Sequence, residues 1–141
     1  MQTMENVFPK GDTIPPQYAA YFTGTAWLHM LVPNNTAWNC PIGNVTFEPG
    51  ARNNWHKHAG GQILLVTAGK GWYQEAGKAA QALRPGDVVL IPAGVKHWHG
   101  AAADCALTHL AVETNPQAGS AEWLEPVDEA AFAALPATGD A

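Results

Sequence analysis

Proline and glycine cut this sequence into short apolar runs, and that punctuation constrains the fold more than any other feature. The chain has 14 Gly and 11 Pro among 141 residues, and they fall mostly between apolar runs. Glycine closes turns by reaching positive φ, and proline does so by presetting its own φ. Many short strands joined by turns describe an all-β sandwich or barrel better than an alternating βαβ fold. The runs place strands at 25–32, 43–48, 55–58, 61–68, 71–75, 79–83, 87–91, 97–101 and 105–113. Residues 1–24, with Pro9, Pro15 and Pro16, read as an irregular N-terminal arm, 25–115 as the barrel, and 116–141 as a C-terminal tail. Within the tail, 120–135 is the one helix candidate. Pro126 suits a first helical turn, Asp128 and Glu129 suit its positive end, and the alanine-rich run to Leu135 supports propagation.

A chain of this length fits a single domain with a core large enough to fold without disulfides. Charged residues make up only 13% and hydrophobic ones 47%, which excludes a disordered chain. The net charge of -5 argues against nucleic acid, whose phosphates need a basic face. No apolar run approaches a membrane span, and the N-terminal residues carry no export pattern, so a cytoplasmic globule is expected. Cys40 and Cys105 lie in no CxxC pair and read as small buried hydrophobes.

Histidine carries the chemical information. Four of the six histidines form two H-x-H pairs, His56 with His58 and His97 with His99. Strand side chains alternate between faces, so each pair presents two imidazoles to one side. In the following run Gln62, Leu64 and Val66 share a face. An inward pair of imidazoles is hard to explain as packing, because each ring has two nitrogens to satisfy. A shared metal ion satisfies one nitrogen of each ring at once. Pro92 and Gly94 build a tight turn just before His97, and the last strand puts His109 on one face with Cys105, Leu107 and Ala111. His29 stands in an apolar strand without a partner in sequence and reads as structural.

These stretches resemble the paired motifs of the cupin superfamily. The first family motif, G-x5-H-x-H-x3,4-E-x6-G, is met by Gly50, His56, His58 and Gly69, with Gln62 standing where the family has Glu. The second, G-x5-P-x-G-x2-H-x3-N, is met by Gly86, Pro92, Gly94 and His97, with Ala101 in place of Asn. The surrounding frame is similar to that of small single-domain bacterial cupins (cupin 2 conserved barrels) that include manganese-dependent hydroxynitrile lyases with a three-His, one-Gln metal site.

The resemblance implies a cupin double-stranded β-helix, a jelly-roll barrel, flanked by the arm and a short C-terminal helix. It implies one divalent ion per chain on His56, His58, Gln62 and His97, manganese first, with Fe, Ni, Co and Zn as alternatives. Gln62 can offer only a neutral carbonyl oxygen, so the ligand set leaves the ion its full charge, which suits Lewis-acid work on a hydroxyl or carbonyl. Carried over, the activity is cyanohydrin cleavage or formation, with His109 as general base and His99 orienting the substrate or handling the cyanide proton. An Fe(II) dioxygenase and a non-catalytic small-ligand binder are the alternatives. Val45, Phe47, Leu64, Trp98 and Leu107 are nominated as pocket lining, which favours a neutral, partly aromatic small molecule. Low charge and the aromatics Trp27 and Trp38, expected to be exposed, further suggest a homodimer, or a higher cupin assembly, joined through the arm and the outer sheet faces.

Overall fold

Turns at the expected positions divide the chain into thirteen strands in the computed structural model, which describes residues 7–136. The first part runs β1 (Asp12–Thr13), α1 (Pro16–Ala19), β2 (Phe22–Thr23), β3 (Ala26–Val32), β4 (Ile42–Phe47), β5 (Arg52–Asn53) and β6 (His56–His58). The second runs β7 (Gln62–Gly69), β8 (Gly71–Glu75), β9 (Gln81–Leu83), β10 (Val88–Ile91), β11 (His97–Ala101), β12 (Leu107–Glu113), β13 (Ala121–Trp123) and α2 (Glu129–Ala133).

The strands form two antiparallel sheets facing each other. One has the order β1-β3-β4-β12-β7-β10. The other has the order β13-β6-β11-β5-β2, with β8 pairing with β11 and β9 extending from β8. This is the all-β jelly-roll arrangement expected. Gly69 shows how tightly the turns are specified: its φ is +79°, and a Cβ there would sit 1.8 Å from the Ala106 carbonyl oxygen. Only glycine fits that crossing.

The core lies between the sheets. Along β7 burial alternates residue by residue, with Gln62, Leu64, Val66 and Ala68 inward. Phe47, Leu64, Tyr73 and Leu107 meet there, almost wholly shielded from water. Each large apolar side chain so buried contributes about 2 kcal/mol. A second cluster, Trp72, Trp98, Val127 and Phe132, packs under α2. The Arg52 guanidinium lies 4.0 Å from the Phe132 ring centroid and pairs with Glu129, tying α2 to β5.

Three expectations need correction. The arm is not wholly irregular, since β1 and β2 each add a short strand to a sheet. The tail helix is shorter than 120–135: Asp128 caps it by accepting from the Ala131 N–H at 2.9 Å, so Pro126 lies outside. Residues 121–123 pair instead with β6, because Trp123 finds stacking partners in His56 and Tyr21. Trp27 is half-buried rather than exposed, its indole N–H donating to Glu48 at 2.7 Å and Lys10 over its ring. Both cysteines are free, and no helix among the described residues is long and apolar enough to cross a membrane.

Candidate metal centre

Two adjacent strands of the second sheet bring four histidines together. His56 and His58 point inward from β6, His97 and His99 from β11, and His97 is registered opposite His56. Ring centroids are 4.2 Å apart for His56 and His97, 4.9 Å for His56 and His58, and 5.4 Å for His58 and His97. His99 lies 5.6 Å from His56 and 5.8 Å from His97. One nitrogen from each of His56, His97 and His99 falls within a 4.8 Å group able to hold a metal ion.

The hydrogen bonds fix the tautomers of two rings. His56 Nδ1 lies 2.8 Å from the Asn54 carbonyl oxygen, and His97 Nδ1 lies 2.9 Å from that of Val95. A carbonyl can only accept, so each ring is protonated on Nδ1 and keeps its lone pair on Nε2. That orientation by an outer partner is the usual arrangement of a metal-ligating imidazole. His97 Nε2, His58 Nε2 and Gln62 Oε1 are all buried without a hydrogen-bond partner. Unpaired buried polar atoms are costly, and three of them among the candidate ligands have the chemistry of a divalent-cation site. His99 is more fully engaged: its backbone N–H donates to Asn53 Oδ1 at 3.0 Å, its Nε2 lies 3.3 Å from Asn53 Nδ2, and its Nδ1 lies 3.0 Å from His109 Nε2.

The facing sheet supplies the other wall. Gln62 opens β7 and is registered opposite Glu113, the last residue of β12. Gln62 Nε2 donates to Glu113 Oε1 at 3.0 Å, and His58 Nδ1 stands 3.0 Å from the same oxygen without hydrogen-bond alignment. The register of β12 against β7 slips between Thr108 and His109, a bulge of the kind that re-aims a side chain. His109 points inward, is fully buried, and shares the cavity with His99.

Burial sets the protonation of these rings. It lowers His109 and His97 from 6.5 to about 4. His56 and His99 are pushed well below the usual histidine value, first by burial and then by neighbouring imidazoles. All four are therefore neutral near pH 7, as ligands and bases must be.

The cavity measures about 320 Å3. Its apolar wall includes Val45 and Phe47 of β4, Phe22 of the arm, and Leu28 and Met30 of β3. Leu64 and Leu107 do not line it; they are fully buried in the core. Trp98 is on the opposite face of β11, under α2, because it alternates with His97 and His99. His29 sits on the outer side of β3, in the alternate register to Leu28 and Met30. Sequence reasoning missed Glu113, Asn53 and Trp123. Glu113 was available from alternation with His109 and Ala111, whereas Trp123 reaches His56 only through a tail pairing that no local pattern announces.

Comparison with known proteins agrees with this fold. A family model for the cupin domain matches residues 43–113. Over 111 residues, 79% of this chain and 85% of the relative, the sequence is 45% identical to an (R)-mandelonitrile lyase of Granulicella tundricola. The fold matches a cupin-like protein from Thermotoga maritima with a TM-score of 0.85 and 48% identity, over 91% of this chain and 95% of that one. It also matches a DMSP lyase from Ruegeria pomeroyi at a TM-score of 0.64 and 18% identity, over 90% and 63% of the two chains. That likeness concerns the fold alone.

Proposed function

The chain belongs to the cupin family, and from that membership we propose that it is a metal-dependent lyase that cleaves or forms cyanohydrins of small, largely apolar carbonyl compounds. One observation carries the reading: partnerless ligand atoms on His58 and Gln62 line an apolar cavity with the buried His99–His109 pair, and the ring that carries the partnerless Nε2 of His97 lies 5.4 Å from that of His58. The 45% identity to an (R)-mandelonitrile lyase supports it. His56, His58, Gln62 and His97 are the proposed ligands, because the His99 ring is already engaged by the Asn53 amide nitrogen, 3.3 Å from its Nε2, and by His109. Manganese is the preferred ion, and Fe, Ni, Co or Zn would also suit three imidazoles and an oxygen. When bound, a divalent ion supplies Lewis acidity that lowers the pKa of a substrate hydroxyl.

The protein's own residues handle the proton. His109 Nε2 and His99 Nδ1 face each other at 3.0 Å, so one of them donates. If His109 Nε2 carries the proton, the free lone pair is on His109 Nδ1; if His99 Nδ1 carries it, the free lone pair is on His99 Nε2. His109 Nδ1 is buried without a hydrogen-bond partner, and in the first arrangement its lone pair takes the hydroxyl proton, which makes His109 the proposed base. As that O–H bond breaks, the carbonyl forms, the C–CN bond breaks, and cyanide leaves with the bonding electrons. Protonation of cyanide by the imidazolium returns the pair to its starting state. The apolar wall, with Phe47, Phe22 and Leu28, holds the substrate's hydrocarbon part and excludes water.

The test combines elemental analysis of untagged, chelator-free protein with cyanide release from mandelonitrile. About one divalent ion per chain and cyanide release are expected. His109→Ala should abolish release with metal content unchanged. Folded protein that takes up no divalent ion refutes the reading. So does metal-replete protein that releases no cyanide, or that consumes oxygen instead.

A further inference from the structure

Glu113 is a carboxylate set against two of the proposed ligands, facing the amide nitrogen of Gln62 and Nδ1 of His58. Its Oε1 accepts from Gln62 Nε2 at 3.0 Å and lies 3.0 Å from His58 Nδ1. The strand register makes the approach obligatory, since Glu113 and Gln62 are direct partners across β12 and β7. Its backbone is held as well: the Glu113 N–H donates to the Pro41 carbonyl at 3.0 Å. Glu113 is also the one acid lining the cavity among the described residues.

A glutamine differs from the family's glutamate in a way that makes such a partner matter. A carboxylate presents an oxygen whichever way it turns. An amide presents an oxygen one way and two N–H donors the other, and donors aimed at a cation would repel it. Glu113 can only accept, so it draws the NH2 group of Gln62 and leaves Oε1 on the opposite side, where it is buried and partnerless. The same charge beside His58 Nδ1 favours the proton there and the lone pair on Nε2. Resting on the metal-site reading above, we propose that Glu113 is a positioning residue that turns the carbonyl oxygen of Gln62 and the free ring nitrogen of His58 towards a divalent cation in the cavity. It touches neither the ion nor the substrate in this role. It supplies, one bond layer out, the negative charge that the glutamine ligand lacks.

The experiment is direct titration with Mn(II), read by calorimetry and by chelator competition, on wild type, Glu113→Gln, Gln62→Glu and the double variant. Positioning partners of metal ligands typically cost 10–100-fold in affinity when removed, so Glu113→Gln should weaken Mn(II) by about that factor. The thermal midpoint of the metal-free variant should stay near that of wild type. A replacement amide can donate, so it no longer dictates which end of Gln62 faces inward. In the Gln62→Glu background the sign should reverse. There Glu113 faces a second carboxylate, and Glu113→Gln restores a donor–acceptor pair of opposite polarity, so Mn(II) should bind more tightly in the double variant than in Gln62→Glu alone. Simple long-range attraction predicts weaker binding in both backgrounds, and that result overturns the positioning role. Equal binding by wild type and Glu113→Gln also overturns it, while leaving the metal reading intact. A wild type that binds no divalent ion overturns both.

Discussion

Acid should weaken this fold well before its carboxylates titrate. His109 is fully buried, and that burial holds its pKa at about 4 against 6.5 for the free imidazole. Between those values the unfolded chain binds a proton that the folded chain refuses. Stability is therefore fully present above pH 6.5 and falls as pH drops towards 4. At pH 5 the linkage relation gives about 2 kcal/mol lost for one such histidine. His97 has the same depressed value, and His56 and His99 shift in the same direction, so they add to the loss. Domains of this size have only about 5–15 kcal/mol in total. The assay is urea unfolding in excess chelator at pH 7 and pH 5, which keeps the bound ion out of the comparison. With a urea slope of about 2 kcal/mol per molar, each histidine moves the midpoint by about 1 M. His109→Gln should narrow the difference between the two pH values by about that amount. A wild-type midpoint that is the same at both pH values would refute the reasoning, as would a His109→Gln variant that keeps the full difference.

The α2 cluster should be separable from the site. Phe132→Ala removes the ring that packs on Trp98 and Arg52, and should cost about 3 kcal/mol in denaturant unfolding while metal content stays unchanged. We also propose that the chain forms a homodimer through an outer sheet face: Val88 and Leu90 are 59% and 68% exposed on β10, which has a neighbour on one side only. Sedimentation should show a species of twice the chain mass, dissociated by Val88→Lys with Leu90→Lys; a monomer at micromolar concentration refutes it.

Strand positions were legible because turn chemistry is local. The strands expected from sequence at 71–75 and 97–101 are observed with those limits, and the others are displaced by about two residues or fewer at either end. The inward direction of His56, His58, Gln62, His97 and His109 also follows from alternation, once the core face of each strand is known. Trp98 was misplaced for the converse reason, since an aromatic flanked by two site histidines belongs to the other face. Long-range pairings were not legible. Nothing near Trp123 says that it will add a strand beside His56, and nothing near Arg52 says that Phe132, eighty residues on, will lie across its guanidinium. The histidine pKa values were also out of reach, because burial by distant elements sets them.

The polar part of the cavity wall combines imidazoles with the amide of Gln62, and Glu113, the single acid among the described lining residues, stands against them. This arrangement divides two tasks that a glutamate ligand would perform together. A glutamate would bring charge to the ion and also supply an oxygen in either rotamer. In the proposed site Gln62 would supply the oxygen and Glu113 the charge and the orientation, across a 3.0 Å hydrogen bond. Moving the charge outward leaves more of the ion's field for the substrate oxygen, which is what proton loss from a hydroxyl requires. It also limits the cost of folding without the ion, because the buried rings are already neutral and no carboxylate must be desolvated at the centre. A Gln in place of Glu at position 62 therefore fits the proposed acidification of a bound hydroxyl, and in that proposal Glu113 at the end of β12 is the residue that would make the exchange workable.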